Sequence, residues 1–340
     1  MISRALNFLW LLGLVALWTV LAGSSASAAD PWLVFEGGDG PGKGKNIVFV
    51  SGDDEYRSEE ACPMLAKILS QRYGFRCTVL FAINPKTGEI EPSYQTNIPG
   101  LEALGKADLM VLFTRFRELP DEQMEHVVKY VQSGRPIIGL RTATHAFAYS
   151  RNKTSPYASW SFDNSKWSGG FGRQVLGETW ISHHGNHGQE STRGVIPESA
   201  KKLAIVKGAD DVWGPTDVYG ITKLPDNAQV ILEGSILKGM KPTDEAVTDK
   251  RNNPRMPIAW IRTWQSESGK TARIFCTTMG SSTDFESAGL RRLFVNACFW
   301  CLDMESQMPE KPNVDVVGEY KPTKFGFGAF QKGLKPEAFK

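Results

Sequence analysis

The stretch Asn46-Ile47-Val48-Phe49-Val50-Ser51-Gly52-Asp53-Asp54-Glu55-Tyr56-Arg57 decides the fold. Its first half is a short apolar run of the kind that forms a strand buried on both faces, and its second half is a knot of charges. Ala61, Met64, Leu65, Ile68 and Leu69 follow at helical spacing, with Pro63 tolerable only near the first turn of that helix. A buried strand that runs into a helix belongs to a parallel α/β sheet, and such sheets keep their sites beyond the carboxyl ends of the strands. The dipole of the helix accounts for Glu59 and Glu60. It does not account for Asp53, Asp54, Glu55, Tyr56 and Arg57, whose side chains offer catalytic and recognition chemistry.

Outward from this unit the same alternation repeats. Cys77–Ile83 and Leu109–Phe113 read as strands. Pro120 then opens a helix with the stripe Met124, Val127, Val128 and Val131, closed by Gly134 and Pro136 before a strand at Ile137–Leu140. Three strand-helix units in about 100 residues predict a flavodoxin-like, doubly wound α/β fold with a mostly parallel sheet. From Ser150 the text turns irregular until strands return at Val230–Leu232, Ile258–Ile261 and Arg273–Thr277. Long loops over the site are therefore expected in the C-terminal half.

Residues 1–28 carry Arg4, an apolar run from Leu6 to Ala22, and the small-residue motif Ala26-Ser27-Ala28, which is the pattern of a signal peptide. An exported protein, periplasmic or secreted and with no membrane contact after cleavage, is expected. Residues 29–45 then form an N-terminal extension, 46–304 one domain and 305–340 a surface tail. Loss of Arg4 lowers the formal charge from +2 to +1, so no electrostatic footprint for nucleic acid exists. A homo-oligomer is compatible with these features. Of the five cysteines, Cys298 and Cys301 form a C-x-x-C inside a helical core stripe, where packing explains them better than redox chemistry.

The strand ends bring candidate chemistry together: Asp53 and Glu55 after the first strand, Arg115 after the third, and Arg141 and His145 after the fourth. Asp53, Glu55, Arg141 and His145 are the catalytic candidates, and Asp54, Tyr56, Arg57 and Arg115 the neighbouring substrate contacts. Ser182-His183-His184-Gly185-Asn186-His187 holds three of the chain's five histidines. His183, His184 and His187 could ligate a divalent metal such as zinc, or else serve in substrate contact or acid/base work. Trp213, Asp217 and Tyr219 complete the substrate set, since aromatic faces suit sugar rings as well as packing. No G-x-S-x-G, P-loop or post-strand G-x-G-x-x-G is present, and Gly169-Gly170-Phe171-Gly172 follows no strand.

Three segments together resemble the ThuA-like (trehalose utilisation) family, which is similar in fold to class I glutamine amidotransferases. They are Val50–Arg57, Ile138-Gly139-Leu140-Arg141-Thr142-Ala143-Thr144-His145, and Arg273–Gly280 with the helix Leu290–Trp300 after it. The likeness spans roughly Asn46 to Asp303. It implies carbohydrate metabolism, on a disaccharide or oxidised sugar. The amidotransferase resemblance would put a nucleophilic cysteine in the turn that holds Arg141-Thr142, so glutaminase chemistry is not expected. Gly280–Asp284 stands where many relatives carry a histidine-bearing turn. Two readings follow: a sugar hydrolase, lyase or isomerase, or a non-catalytic carbohydrate-binding module.

Overall fold

The computed structural model describes residues 30–340, and the expected signal peptide lies outside them. Within Pro31–Lys340 one ten-stranded sheet carries the whole architecture. Its strands are β1 (Trp32–Phe35), β2 (Asn46–Gly52), β3 (Arg76–Leu80), β4 (Leu109–Thr114), β5 (Ile137–Leu140), β6 (Thr192–Val195), β7 (Trp213–Gly214), β8 (Gln229–Ile236), β9 (Met256–Gln265) and β10 (Thr271–Thr277). The helices are α1 (Ser58–Tyr73), α2 (Asp121–Gln132) and α3 (Ala288–Cys301). The spatial order is β1-β3-β2-β4-β5-β10-β9-β8-β6-β7.

The sheet is mixed rather than mostly parallel. Four neighbour pairings, β3-β2, β2-β4, β4-β5 and β5-β10, are parallel, while the other five are antiparallel. The cause is connection length: β9 returns to β10 through the tight turn 266–270, where Ser266 accepts and donates across the loop, and a short turn permits only antiparallel pairing. Within the expected N-terminal extension, residues 32–35 form β1, which pairs antiparallel with β3 along the edge.

Alternation along β2 divides the core. Ile47 and Phe49 face the layer built by α1 and α3, and Val48 and Val50 face the layer that contains Met124, Val127 and Val131 of α2. Burial on both faces explains the uninterrupted apolar runs of β2, β4 and β5. Cys298 and Cys301 lie in the first of these layers, and all five cysteines are buried and free. Among the described residues no helix is long and apolar enough to cross a membrane.

Candidate functional site

The carboxyl ends of β2, β4, β5 and β10 deliver four loops to one place, as parallel strands require. Three of the loops turn sharply through left-handed residues, Arg57 (φ 60°), Phe116 (φ 50°) and Arg141 (φ 42°). Such conformations cost non-glycine residues on the order of 1–3 kcal/mol and persist only where surroundings enforce them. Asp53 supplies part of that enforcement. Its Oδ1 accepts the backbone N–H groups of Glu55 (2.7 Å) and Tyr56 (2.6 Å), and its Oδ2 accepts the Thr142 hydroxyl. Burial pushes the Asp53 carboxyl above its ordinary range, against those three hydrogen bonds. Fully buried and engaged, Asp53 braces the β2 loop against the β5 loop and does not face the cleft.

Arg141 is likewise turned inward. Its guanidinium lies between the rings of Tyr219 (3.7 Å) and Tyr56 (4.5 Å) and donates to the Asp217 and Thr278 carbonyls, to Tyr56 Oη and to Asp217 Oδ1 (2.8 Å). Burial opposes its charge, yet the two tyrosines and Asp217 hold its pKa well above the ordinary value. Asp217 is equally buried, and it also meets two imidazoles: His183 Nδ1 at 2.7 Å on Oδ2 and His187 Nδ1 at 3.0 Å on Oδ1. Although desolvation works against it, Arg141 and the two histidines keep the Asp217 carboxyl well below the usual range. His187 Nε2 reaches Glu55 Oε1 at 3.2 Å, and with carboxylates at both nitrogens its pKa rises to about 9. Asp284 sets this half of the site from behind: it accepts from Gly280 and Ser281 N–H and from the Thr216 backbone and hydroxyl, next to Asp217.

A small cavity of about 30 Å³ opens beside the cluster, lined by Glu55, Arg115, Phe116, His145, Trp180, His183 and Tyr219. That is space for one or two water molecules. His145 is buried among Phe116, Phe162, Trp180 and Tyr219, with Nδ1 3.1 Å from the Thr144 hydroxyl. Burial first, then Arg115, Arg141 and His183, push its pKa well below the ordinary value, so its imidazole is neutral at pH 7. Arg115 pairs with Asp54 at 3.0 Å and stacks on Phe116 at 4.4 Å.

The structure therefore brings together Glu55, Tyr56, Arg115, His145, His183, His187, Asp217 and Tyr219, and it places others elsewhere. His184 turns away and contacts the Arg251 carbonyl at 2.9 Å, so it leaves the candidate ligand set. His183, His187 and Asp217 instead hold ligand atoms within 4.8 Å of one another. Trp213 sits in β7 with its indole on Ser191 and does not line the cavity. Arg57 is buried against the Gly326 carbonyl. The glycine run 169–172 is a packing device, since a Cβ on Gly172 would lie 2.0 Å from the Thr144 carbonyl oxygen.

Several contributors escaped the sequence reading. Phe116 and Trp180 line the cavity, and the tail reaches it: Phe325 packs on Tyr56 and His187, each at 5.5 Å between ring centroids. Phe327 covers Arg115 at 4.7 Å. The run Phe325-Gly326-Phe327-Gly328 gave no signal of this, because residues 321–340 lack any periodic pattern.

These features define an α/β protein of mixed sheet whose strand-end loops build a histidine-carboxylate site around a buried arginine. The chain belongs to the ThuA, trehalose utilisation, family, whose profile matches residues 46–301. Among solved structures it is similar to a ThuA-like protein of Parabacteroides merdae, with 16% identity, 83% of this chain and 97% of that chain covered, and a TM-score of 0.49. It is also similar to a ThuA-like protein of Bacteroides uniformis, with 15% identity, 78% and 93% covered, and a TM-score of 0.45. No curated protein matches it.

Proposed function

We propose that the chain is an exported enzyme of carbohydrate metabolism that acts on a disaccharide or oxidised sugar, with a divalent metal such as zinc on His183, His187 and Asp217. The observation that carries this reading is the contiguity of that ligand cluster with the cavity, His183 belonging to both. Two imidazoles and a carboxylate suit zinc and similar borderline ions, and a three-residue set leaves coordination positions for a ligand. Such an ion polarises a carbonyl or hydroxyl oxygen and acidifies a bound water. Arg141 and Asp284 orient the Asp217 loop, as outer-shell groups do at metal sites.

The protein's own proton chemistry falls to His145. Thr144 occupies its Nδ1, which leaves Nε2 of a neutral imidazole as the base toward a substrate hydroxyl or carbonyl-adjacent carbon. Arg115 and Glu55 supply donor and acceptor at the opposite wall. Glutaminase chemistry is not part of this reading. The turn after β5 carries a caged arginine, and burial raises the pKa of every cysteine thiol, which suppresses thiolate.

Elemental analysis of the purified mature protein after dialysis against zinc tests the proposal. About one equivalent is expected, lost in His183→Ala and His187→Ala and retained in His184→Ala. Metal-free wild-type protein would remove the metal and raise the binding-module reading in its place. Turnover of an oxidised disaccharide is expected to fall at least 100-fold in His145→Ala, the usual scale of general acid-base assistance.

A further inference from the structure

We infer that Phe327, held over Arg115 by the C-terminal segment, is a ring-stacking subsite for the non-reacting unit of a disaccharide, an inference that rests on the carbohydrate reading above.

The argument begins with size. A cavity of about 30 Å³ admits a carbonyl or hydroxyl group and its water but not a pyranose ring. Whatever sugar reacts there must rest its rings at the mouth. Among the described residues two large apolar side chains are exposed, Phe327 at 62% and Ile181 at 39%, and Phe327 stands at this mouth. Phe327 covers Arg115, which lines the cavity. A lone exposed apolar side chain needs no explanation. One seated on a cavity-lining side chain by a pinned segment does.

The position of Phe327 is also built. On one side the Gly326 N–H donates to the Glu55 carbonyl at 2.8 Å, and on the other the Gly326 carbonyl accepts the Arg57 guanidinium. Thr323 donates through its N–H and hydroxyl to Glu60, and Tyr320 Oη donates to the Ser282 carbonyl. Phe325, two residues earlier, is buried against Tyr56 and His187. The loop that carries Glu55 thus fixes the segment that carries Phe327, at a backbone separation of 269 residues from Arg57. Phe325 is turned inward, and the turn at 327–328 that follows leaves Phe327 outward.

The outward ring continues a stack into the cavity. Phe327 lies on Arg115 (4.7 Å), Arg115 on Phe116 (4.4 Å), and Phe116 on His145 (5.1 Å). Asp54 holds the guanidinium from its edge, while Arg115 Nε, with Glu55 Oε2 3.7 Å away, has no hydrogen-bond partner. An exposed aromatic face matches a sugar ring, which presents an apolar C–H face. The occupant is therefore the second ring of a two-ring sugar whose first ring offers its reacting group to His145.

Calorimetric titration of the full mature chain with trehalose and with glucose tests this, in wild type, Phe327→Ala and Phe327→Trp. Melting temperature and metal content of each variant report that the fold and the ligand cluster survive. Phe327→Ala should weaken trehalose about five- to tenfold, the scale of one lost aromatic contact, leave glucose within about twofold, and be rescued by Phe327→Trp. Equal weakening of both sugars, or of neither, overturns the subsite while leaving the carbohydrate reading intact. Failure of wild type to bind either sugar overturns this inference, and turnover of an oxidised disaccharide then decides the carbohydrate reading separately.

Discussion

Glu59 carries a prediction whose size follows from its surroundings. It sits in the first turn of α1, 4% exposed, and neither carboxyl oxygen has a hydrogen-bond partner on another residue. Burial raises its pKa from 4.5 to about 8, with its own backbone N–H first and Arg57 second partly opposing the rise. The folded protein therefore binds a proton at Glu59 that the unfolded chain has released at neutral pH. Below about pH 4.5 both states are protonated and the group is neutral to stability. From there to about pH 8 the unfolded state holds fewer protons, so stability falls as pH rises. Over that window, 3.5 pH units at about 1.4 kcal/mol each amount to roughly 5 kcal/mol.

Glu59→Gln keeps the shape and removes the titration. Its own unpaired amide adds a cost that does not depend on pH, so the informative quantity is how the wild-type and variant difference changes with pH. That comparison also cancels the other groups that titrate in the same range, His187 among them. Urea denaturation at pH 5 and pH 9 should show the variant gaining about 4 kcal/mol relative to wild type between the two, three units of the window at about 1.4 kcal/mol each. A difference that stays constant within about 1 kcal/mol would refute a buried, neutral Glu59.

Arg141→Leu should destabilise by about 3–5 kcal/mol in urea with a chelator present, because it leaves the Asp217 carboxylate buried without its fixed cation. The double variant with Asp217→Asn should then cost clearly less than the two single changes together, and strict additivity would show that the pair does not interact. The five buried thiols should be unreactive toward an aromatic disulfide reagent at pH 8 and all react once the chain unfolds in denaturant. Rapid labelling of any one in the native protein would contradict its burial.

Legibility from sequence tracked burial. β2, β4 and β5 are covered on both faces, so each is a bare apolar run that stands out without periodicity. β6, with only Thr192 buried, and the two-residue β7 carry no comparable signal. At the site the strand-end rule located the loops but could not say which way each side chain turned. Asp53 and Arg141, the two strongest reagents by residue type, point into the protein because sharp turns at the strand ends need a carboxylate brace and an interior counter-charge. The histidine triplet split for a different reason. His183 bridges Tyr219 in antiparallel register, so its neighbour His184 projects to the opposite side, and the turn returns only His187 to Asp217. Phe325 and Phe327 reach the site across more than 260 residues of chain, a distance over which no local pattern carries information.

The joint between the two halves of the sheet explains why a buried arginine occupies the turn after β5. His145 and Glu55 come from loops of the parallel half, whereas His183, His187 and Asp217 come from the irregular segment beside the antiparallel half. Some group must fix one set against the other for these side chains to keep their mutual distances. Arg141 does so from the left-handed position at the end of β5, bonding to Asp217 across 76 residues and to Thr278 across 137. A small nucleophile in that turn would leave Asp217 without a cation and the two loops without a tie. The residue that removes thiolate chemistry from this turn is thus the one that makes the histidine-carboxylate cluster beside it a fixed site.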